Sequence, residues 1–239
     1  MGGIGVFASA IRATLLKGEA DIAVHSFKDL PTGRPLGLAI GAVPARADPR
    51  DALVARDGLT LHDLPQEASV GTGSPRRAAQ LLAVRPDLTI VDIRGNVDTR
   101  LGRVKGLGHY AKGGGKEDLD AVVLAASGLA RLGHSGTVTE FLDPSVVLPA
   151  PAQGALAVEC RTADSRHGKL AKALARIDDR RTRLAATAER AVLSHLEAGC
   201  AAPIGALAQL KPVSGSSPQV LTLDAVSYTH LRAHETKAN

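Results

Sequence analysis

A short apolar run at residues 21–24 leads directly into a group of side chains that could do chemistry. His25, Ser26, Lys28 and Asp29 follow it, as at the end of a β-strand. A carboxylate in such a place can accept hydrogen bonds from ligand N–H groups and stabilise positive charge that develops during a reaction. The alternative is that Lys28 and Asp29 form an exposed ion pair, which contributes little to stability.

A second polar turn contains Thr72 and Ser74 and leads into a predicted helix. Ser74 is expected to cap that helix, with Pro75 at its first position. Free backbone N–H groups and the helix dipole make such a terminus an anion site. Arg76 and Arg77 in the first turn oppose that dipole, so we expect an anion to neutralise them. The alternative is that both are solvated.

Arginines also follow the next two apolar runs. Arg94, Gly95 and Arg100 come after one run, and Arg131 comes after the other. A guanidinium binds a carboxylate in a bidentate manner, at roughly 1.5–3 kcal/mol per charged hydrogen bond. Several arginines at strand ends therefore indicate a ligand with many carboxylates. Nucleic acid is a competing polyanion, but base stacking needs aromatic side chains, which make up only 2% of the chain.

The two cysteines differ in their surroundings. Cys160 lies in an apolar run and is expected to be a small buried residue. Cys200 lies in a turn of small residues, where a thiolate is expected to be accessible and to form a covalent bond. We see no His/Asn pair of a cysteine protease and too few cysteines for a zinc site, so we predict no metal.

Composition limits the class of protein. The chain has 239 residues, of which 44% are hydrophobic, and a formal net charge of +5. These values indicate one or two domains with a core of Leu, Val, Ile and Ala. No apolar run is long enough to span a membrane, and the first residues do not resemble a secretory signal. We therefore expect a cytoplasmic protein that binds neither membrane nor nucleic acid.

Short strands alternate with helices along the chain, which predicts βαβ units and a largely parallel sheet. Ligands of such sheets bind beyond the carboxyl ends of the strands. Residues 106–118 are rich in Gly and charge, which predicts a mobile loop, and residues 144–151 are a predicted crossover between domains. The predicted strands are 21–24, 38–40, 52–54, 69–71, 89–93 and 119–124, and the predicted helices are 6–16, 76–84 and 183–196.

These segments resemble, in the right order, the motifs of the porphobilinogen deaminase (hydroxymethylbilane synthase) family. The resemblance runs from residue 2 to about residue 224. The matching motifs are HS-hydrophobe-KD-hydrophobe-P at residues 25–31, GT-S--RR at 71–77, RGN---R at 94–100, P---QGA-A-EC at 149–160 and TAER…LEGGC--PIG at 187–205.

The resemblance implies an α/β fold with two periplasmic-binding-protein-like lobes around a cleft and a smaller α+β third domain, which is partial here. The first lobe would comprise residues 1–45 and 152–174, without its leading strand. The second lobe would comprise residues 46–151, and the third domain residues 175–224. Residues 225–239 have no pattern that continues the fold, so we expect a non-native tail there.

The resemblance also implies a reaction. Members of the family condense four porphobilinogen molecules head to tail into linear hydroxymethylbilane, with release of ammonia, in tetrapyrrole (heme) biosynthesis. They act as cytoplasmic monomers on a dipyrromethane cofactor, which here would be held covalently by Cys200. Asp29 would be the catalytic carboxylate, and Arg131 would bind the incoming substrate. The remaining cofactor-binding residues would be Ser26, Lys28, Thr72, Ser74, Arg76, Arg77, Arg94, Gly95 and Arg100.

The chain departs from the family pattern in four ways. The leading strand with its arginine and serine is absent, and the family's GGKG segment is Gly2-Gly3-Ile4-Gly5 here. Residues 106–118 form a longer loop than in many relatives, and the third domain stops early. A missing strand predicts an unpaired sheet edge. Three alternatives follow: a non-catalytic two-lobed module that binds a polycarboxylate, an inactive fragment of the enzyme, and, ranked last, a nucleic-acid binder.

Overall fold

The computed structural model describes residues 4–33, 35–198, 202–212 and 219–228. The helices are α1 (Ile4–Lys17), α2 (Pro75–Val84), α3 (Val97–Leu101), α4 (Ala126–Arg131), α5 (Gly168–Ile177) and α6 (Arg180–His195). The strands are β1 (Ile22–Ser26), β2 (Leu38–Ala42), β3 (Asp51–Ala55), β4 (Ser69–Gly71), β5 (Thr89–Val91), β6 (Ala121–Ala125), β7 (Glu140–Phe141), β8 (Leu156–Arg161), β9 (Ile204–Pro212) and β10 (Gln219–Ser227).

The strands form three sheets. The first sheet has the order β1-β8-β2, the second has the order β5-β4-β6-β3-β7, and β9 and β10 form a hairpin. Their strands come from the ranges expected for the first lobe, the second lobe and the third domain. β10 also includes residues 225–227, which belong to the predicted tail.

The prediction of a largely parallel sheet is wrong for the first sheet, because β8 is antiparallel to both β1 and β2. In the second sheet β4 is parallel to β5 and β6, whereas β3 is antiparallel to β6 and β7. The two reversed strands, β3 and β8, are the strands that the chain enters after crossing from one sheet to the other. Alternation of strands and helices does not reveal such a crossing.

The crossings bring the polar ends of the two sheets together. Asp51 at the start of β3 pairs with Ala125 at the end of β6, and Leu156 at the start of β8 pairs with Ser26 at the end of β1. The first linker (residues 43–50) and the second linker (residues 142–155) therefore each enter a sheet at the edge where the neighbouring strands end. This edge is where the fold places the residues that follow β1, β4 and β6.

The central strands β3 and β6 are buried on both faces. Leu53 and Val123 pack with Leu81 of α2 in one cluster, and Val54 and Val122 belong to the cluster on the opposite face. Successive strand residues point to opposite faces, so this burial needs apolar side chains at every position. Full burial of one such side chain contributes about 1.5–3 kcal/mol.

A buried residue of helix α6 connects both linkers to the hairpin of β9 and β10. Glu189 is fully buried on this helix and forms an ion pair with Arg46 of the first linker, with Nη1 and Oε1 2.6 Å apart. The same carboxylate accepts hydrogen bonds from the backbone N–H groups of Ala152, in the second linker, and Ala208, in β9. Glu189 therefore fixes the linkers relative to α6 and to β9.

Local expectations agree well with the structure. Ser74 caps α2 by accepting from the Arg77 N–H at 3.5 Å, with Pro75 at the first position. α6 begins three residues before the predicted helix at 183–196, because the Asp179 side chain caps it through the Thr182 N–H. β1 is an edge strand of its sheet, where Val24 is 57% exposed.

The loop at residues 106–118 is held by several contacts, although its composition suggested mobility. Glu117 accepts from the backbone N–H groups of Gly106 and Gly108. Asp118 forms an ion pair with Arg103. Elsewhere, no helix in the described part of the chain is both long enough and apolar enough to cross a membrane.

Candidate active site

The end of β1 places Lys28 in the cleft between the first two sheets. The chain turns through a short 3-10 helix, Phe27–Asp29, whose Phe27 is buried in the core of the first sheet. The Phe27 N–H donates to the Ala155 carbonyl at 3.0 Å, which ties the turn to the second linker. His25 does not join this group, since its Nε2 lies 3.4 Å from Glu159 Oε2 on the neighbouring strand.

A chain of polar contacts runs from Lys28 to the second sheet. Lys28 Nζ donates to Gln153 Oε1 at 3.2 Å, and Gln153 Nε2 donates to Asp51 Oδ1 at 2.8 Å. Asp51 is fully buried and forms ion pairs with Arg77 at 2.7 Å and with Arg76 at 2.8 Å. The network thus joins the end of β1, the second linker, β3 and α2.

Burial shifts the ionisation of the cleft residues. It lowers the pKa of Lys28 to about 8, with further lowering from Arg77, while Asp29 and Asp51 oppose the shift. It raises the pKa of Asp29, with Lys28 opposing. Burial alone would raise the pKa of Asp51 too, but Arg77 and Arg76 hold that pKa below the usual range. Lys28 and Asp29 are therefore both more easily neutralised than exposed residues of their types.

A small cavity of about 70 Å³ lies where the two sheets meet. Lys28 reaches it from the first sheet, and Arg131 reaches it from the end of α4 beside the second sheet. Two cations and two hydroxyls around one small space suit a carboxylate group. The lining residues are Ser26, Lys28, Ala125, Ser127, Gly128, Arg131, Gly154 and Ala155.

The polar side chains of the turn before α2 form hydrogen bonds with backbone N–H groups of the same segment. Thr72 Oγ1 accepts from the Ser74 N–H at 3.2 Å, and Ser74 Oγ caps the helix. A Cβ at Gly73 would lie 2.6 Å from the Ile93 carbonyl oxygen, so this turn packs directly on the segment that follows β5. The structure therefore holds Thr72 and Ser74 close to the segment that carries Arg94.

The anion expected beside Arg76 and Arg77 is supplied by the protein itself. The two side chains are only 3% and 8% exposed, and both pair with Asp51. From sequence, the expected partner is an anion such as a ligand carboxylate or, as the alternative, solvent. The alternative that both arginines are solvated is wrong. Contact of either arginine with a ligand stays a prediction.

The segment after β5 is more open. Arg94 projects into solvent with 90% of its side chain exposed, and its Nε lies 3.5 Å from Asp92 Oδ2. Gly95 has a positive φ of 106°, which favours glycine, and its carbonyl accepts from Arg100 Nε at 2.8 Å. Burial and the positive charge of Arg77 lower the pKa of Arg100, while Asp92 opposes the shift. Arg94 is not brought against the other cations.

Sequence reasoning missed Asp51 and Gln153. Asp51 stands one residue before a predicted strand, and Gln153 is a single polar residue among Ala and Gly in the motif at residues 149–160. For Gln153, a polar residue within an otherwise apolar stretch was the available signal, whereas Asp51 follows Asp48, Pro49 and Arg50 and carries no such signal. Cys200 lies outside the described residues.

A larger cavity of about 680 Å³ lies between the first sheet and α6, away from Lys28 and Arg131. Three of the four arginines that line it are held by contacts within the fold, and the fourth is Arg166. Arg183 pairs with Asp178, Arg12 pairs with Glu159, and Arg190 donates to the carbonyl of Phe27. We therefore place the candidate site in the cleft. Among the described residues, no group of three or more His, Cys, Asp or Glu could hold a metal ion.

Family models match most of the chain. The model described as "Porphobilinogen deaminase, dipyromethane cofactor binding domain" matches residues 1–169, and that described as "Porphobilinogen deaminase, C-terminal domain" matches residues 183–231. The chain belongs to the porphobilinogen deaminase family. Residues 1–169 hold both sheets of the cleft, so the cofactor-binding domain of the family includes Lys28, Asp51, Arg131 and Gln153.

Curated relatives agree with this assignment. A porphobilinogen deaminase of Cutibacterium acnes is 96% identical over 226 residues, which cover 95% of this chain and 68% of the relative. That of Micrococcus luteus is 56% identical over 92% of this chain and 63% of its own length. That of Leifsonia xyli is 59% identical over 88% of this chain and 61% of its own length. The chain thus spans about two thirds of the length of these relatives.

Solved structures give a looser likeness. A periplasmic substrate-binding protein of an ABC transporter from Coxiella burnetii is 15% identical, with a TM-score of 0.44, over 74% of this chain and 79% of that one. A nutrient-binding protein from Burkholderia cenocepacia, bound to methionine, is 15% identical with a TM-score of 0.41, over 67% of this chain and 72% of that one.

Proposed function

We propose that the chain is the cleft-bearing part of an enzyme that condenses four porphobilinogen molecules head to tail into linear hydroxymethylbilane, with release of ammonia, in tetrapyrrole biosynthesis. One observation carries the proposal. Lys28 follows a strand of the first sheet, Arg131 ends a helix that follows a strand of the second sheet, and both line one small cavity. Asp29 comes directly after Lys28 in the turn but does not itself line this cavity. Two cations around one space, with a half-buried carboxylate next to one of them in the chain, suit a ligand that carries acidic groups and acquires positive charge as it reacts.

The cleft residues fit the dipyrromethane cofactor of the family. The cofactor carries carboxylates, and Lys28, Arg131, Ser26 and Ser127 offer cations and hydroxyls around one space. When bound, it supplies the pyrrole carbon to which substrate units are joined. We propose that Cys200 holds it covalently and that Arg131 binds the incoming substrate. The proposed cofactor-binding residues are Ser26, Lys28, Thr72, Ser74, Arg76, Arg77, Arg94, Gly95 and Arg100.

Asp29 is the proposed catalytic residue. A carboxylate accepts hydrogen bonds from pyrrole N–H groups and stabilises the positive charge that develops as ammonia leaves. Partial burial strengthens this interaction, because the surroundings screen charge less than water does. The same burial raises the pKa of Asp29, while the neighbouring Lys28 opposes that shift. Lys28 would thus both bind a ligand carboxylate and keep Asp29 ionised.

We also propose that the protein acts in the cytoplasm as a monomer. Neither of its cysteines is assigned to a disulfide: Cys160 is a free, buried thiol, and we assign Cys200 to the cofactor. The central strands of the second sheet are covered on both faces within one chain. Sedimentation velocity of the purified chain would reveal a dimer if this part of the proposal is wrong.

Intact-mass spectrometry of the purified chain tests the proposed function. We expect extra mass equal to two linked pyrrole units, and we expect Cys200→Ser to lack it. Cys160→Ser is the matched control, since Cys160 is fully buried in the first sheet and should leave the added mass in place. An unmodified mass from folded protein would defeat the cofactor assignment.

A further inference from the structure

Both N–H groups of the Gln153 side-chain amide donate hydrogen bonds. One goes to the first residue of β3 and the other to the first linker. The residue is fully buried just before β8. Nε2 donates to Asp51 Oδ1 at 2.8 Å and to the Pro49 carbonyl at 2.8 Å. Oε1 accepts from Lys28 Nζ at 3.2 Å. One side chain therefore connects the residue that begins β3 with the lysine that follows β1.

Chemistry fixes the direction of this amide. The carboxylate of Asp51 and the carbonyl of Pro49 are both acceptors, so the NH₂ group must face them. The oxygen then faces the Lys28 ammonium, which is a donor only. A glutamate at position 153 would set oxygen against oxygen at Asp51. An amide therefore satisfies all three partners at once, which a carboxylate does not.

The backbone of Gln153 is also held in place. Arg46 Nε donates to the Gln153 carbonyl at 2.7 Å, and the buried Glu189 in turn pairs with Arg46. Neither end of the residue can shift without breaking a buried contact. The position of its amide oxygen is thus set by the linkers and α6, independently of any ligand.

We propose that Gln153 is a positioning residue that holds Lys28 at the cleft cavity and, through Asp51, couples that position to the second sheet. The role of Lys28 toward a ligand rests on the proposed function, but its placement by Gln153 does not. The amide is neutral, so it orients the ammonium without neutralising it and leaves the charge available to a carboxylate.

Several charged groups act on Lys28 together with this amide. Arg76 and Arg77 lie in the first turn of α2, and Asp29 is the next residue after Lys28 in the turn. Asp51 accepts a hydrogen bond from the amide nitrogen of Gln153. Arg131 lines the same cavity. The cations favour the neutral amine, and the two carboxylates and the Gln153 oxygen favour the ammonium. Changing Gln153 should therefore change the pH at which Lys28 loses its proton.

The test is the pH dependence of Lys28 acylation, because only the neutral amine reacts. Trace acetic anhydride would be applied over a pH series, and the peptide containing Lys28 quantified by mass spectrometry. In Gln153→Met, the ammonium loses its acceptor, and we expect the midpoint to fall by about one pH unit. In Gln153→Glu, an added carboxylate should raise the midpoint.

Gln80→Met is the matched control. Gln80 is 3% exposed, and its side chain donates to the Leu148 carbonyl and accepts from the Leu148 N–H, so it binds the same linker without touching Lys28. We expect its Lys28 midpoint to equal that of the unsubstituted chain. Thermal unfolding of each variant, followed by circular dichroism, checks that the fold is kept.

Three results would overturn the proposal. Equal midpoints in both Gln153 variants and the unsubstituted chain would show that the amide does not act on Lys28. An equal shift in Gln80→Met would reduce the effect to a general loosening of the linker. Loss of the fold in both Gln153 variants, with Gln80→Met folded, would leave Gln153 a structural residue only. None of these readings needs cofactor or turnover, so the Cys200 adduct remains a separate test of the proposed function.

Discussion

At the scale of single residues, the cleft owes its chemistry to desolvation. Lys28 and Asp29 are adjacent. Burial lowers the pKa of Lys28 and raises the pKa of Asp29, so it favours the neutral form of each side chain. An exposed pair of the same residues would keep ordinary pKa values and contribute little. We therefore expect the pH range of activity to depend on these two groups rather than on the many exposed charges.

The alkaline limit of activity should come from Lys28. Its pKa is lowered to about 8, so the ammonium is present below that pH and is lost as pH rises through it. We expect kcat/KM for porphobilinogen to fall on the alkaline side near pH 8. Lys28→Arg should extend the active range to higher pH, because a guanidinium stays charged. If kcat/KM of Lys28→Arg falls at the same alkaline pH as that of the unsubstituted chain, the group that titrates there is not Lys28.

Asp29→Asn should keep the cofactor and lose turnover. The amide has nearly the same shape but cannot stabilise positive charge, so we expect kcat to fall by roughly 10²–10⁴. Intact mass should still show the two pyrrole units. Asp57→Asn is the control, since Asp57 lies on another short 3-10 turn with 69% of its side chain exposed. Near-normal turnover in Asp29→Asn would remove Asp29 from the mechanism.

At the scale of elements, β3 and α2 are joined by a buried charge cluster. Asp51 begins β3, and Arg76 and Arg77 lie in the first turn of α2, with each side chain at most 8% exposed. Gln153 Nε2 completes the cluster from the second linker at 2.8 Å. Such a cluster is stable only while every member keeps its partners, so it makes the relative placement of these elements sensitive to one residue.

Asp51→Asn should strongly destabilise the fold. It leaves two buried guanidinium groups without a counter-charge, and breaking a buried pair in this way costs about 3–5 kcal/mol. Urea unfolding followed by circular dichroism would measure the loss. Asp87→Asn breaks the pair with Arg85 beside Leu88 and should change stability far less. Equal midpoints for Asp51→Asn and the unsubstituted chain would contradict the role assigned to this cluster.

The pH dependence of stability should follow the same residue. The pKa of Asp51 is depressed in the folded chain, so its contribution is present above the ordinary carboxyl range and is lost as pH falls through the lowered value. Asp51→Asn removes this contribution. We therefore expect the difference in unfolding free energy between the two chains to narrow at strongly acidic pH.

Local features of these elements could be predicted from sequence, whereas their mutual arrangement could not. The cap and first turn of α2 depend on neighbouring residues such as Ser74 and Pro75, so the pattern is sufficient. The direction of β8 depends on strands more than 100 residues away, as in the pairing of Ile22 with Cys160. Asp51 and Arg77 are 26 residues apart in sequence and meet only in the folded chain.

At the scale of the whole molecule, two sheets with separate cores present their polar edges to one cleft. Two sets of contacts hold the linkers that cross between them. One is the ion pair of Arg46 with Glu189 of α6, and the other is the pair of hydrogen bonds that Gln153 makes with Lys28 and Asp51. Candidate ligand residues predicted from sequence divide accordingly. Lys28, Ser26 and Arg131 meet at one cavity, Arg76 and Arg77 are buried against Asp51, Arg100 is half-buried, and Arg94 projects outward.

We propose that cations from the two sides of the cleft bind one acidic, pyrrole-based group tethered to the third domain. A crystal structure of the purified chain carrying its cofactor tests this most directly. We predict a ligand carboxylate within hydrogen-bonding distance of Lys28 Nζ, with Arg131 lining the same space and continuous density to Cys200 Sγ. Ligand density outside the cleft, or density that touches neither Lys28 nor Arg131, would contradict the account.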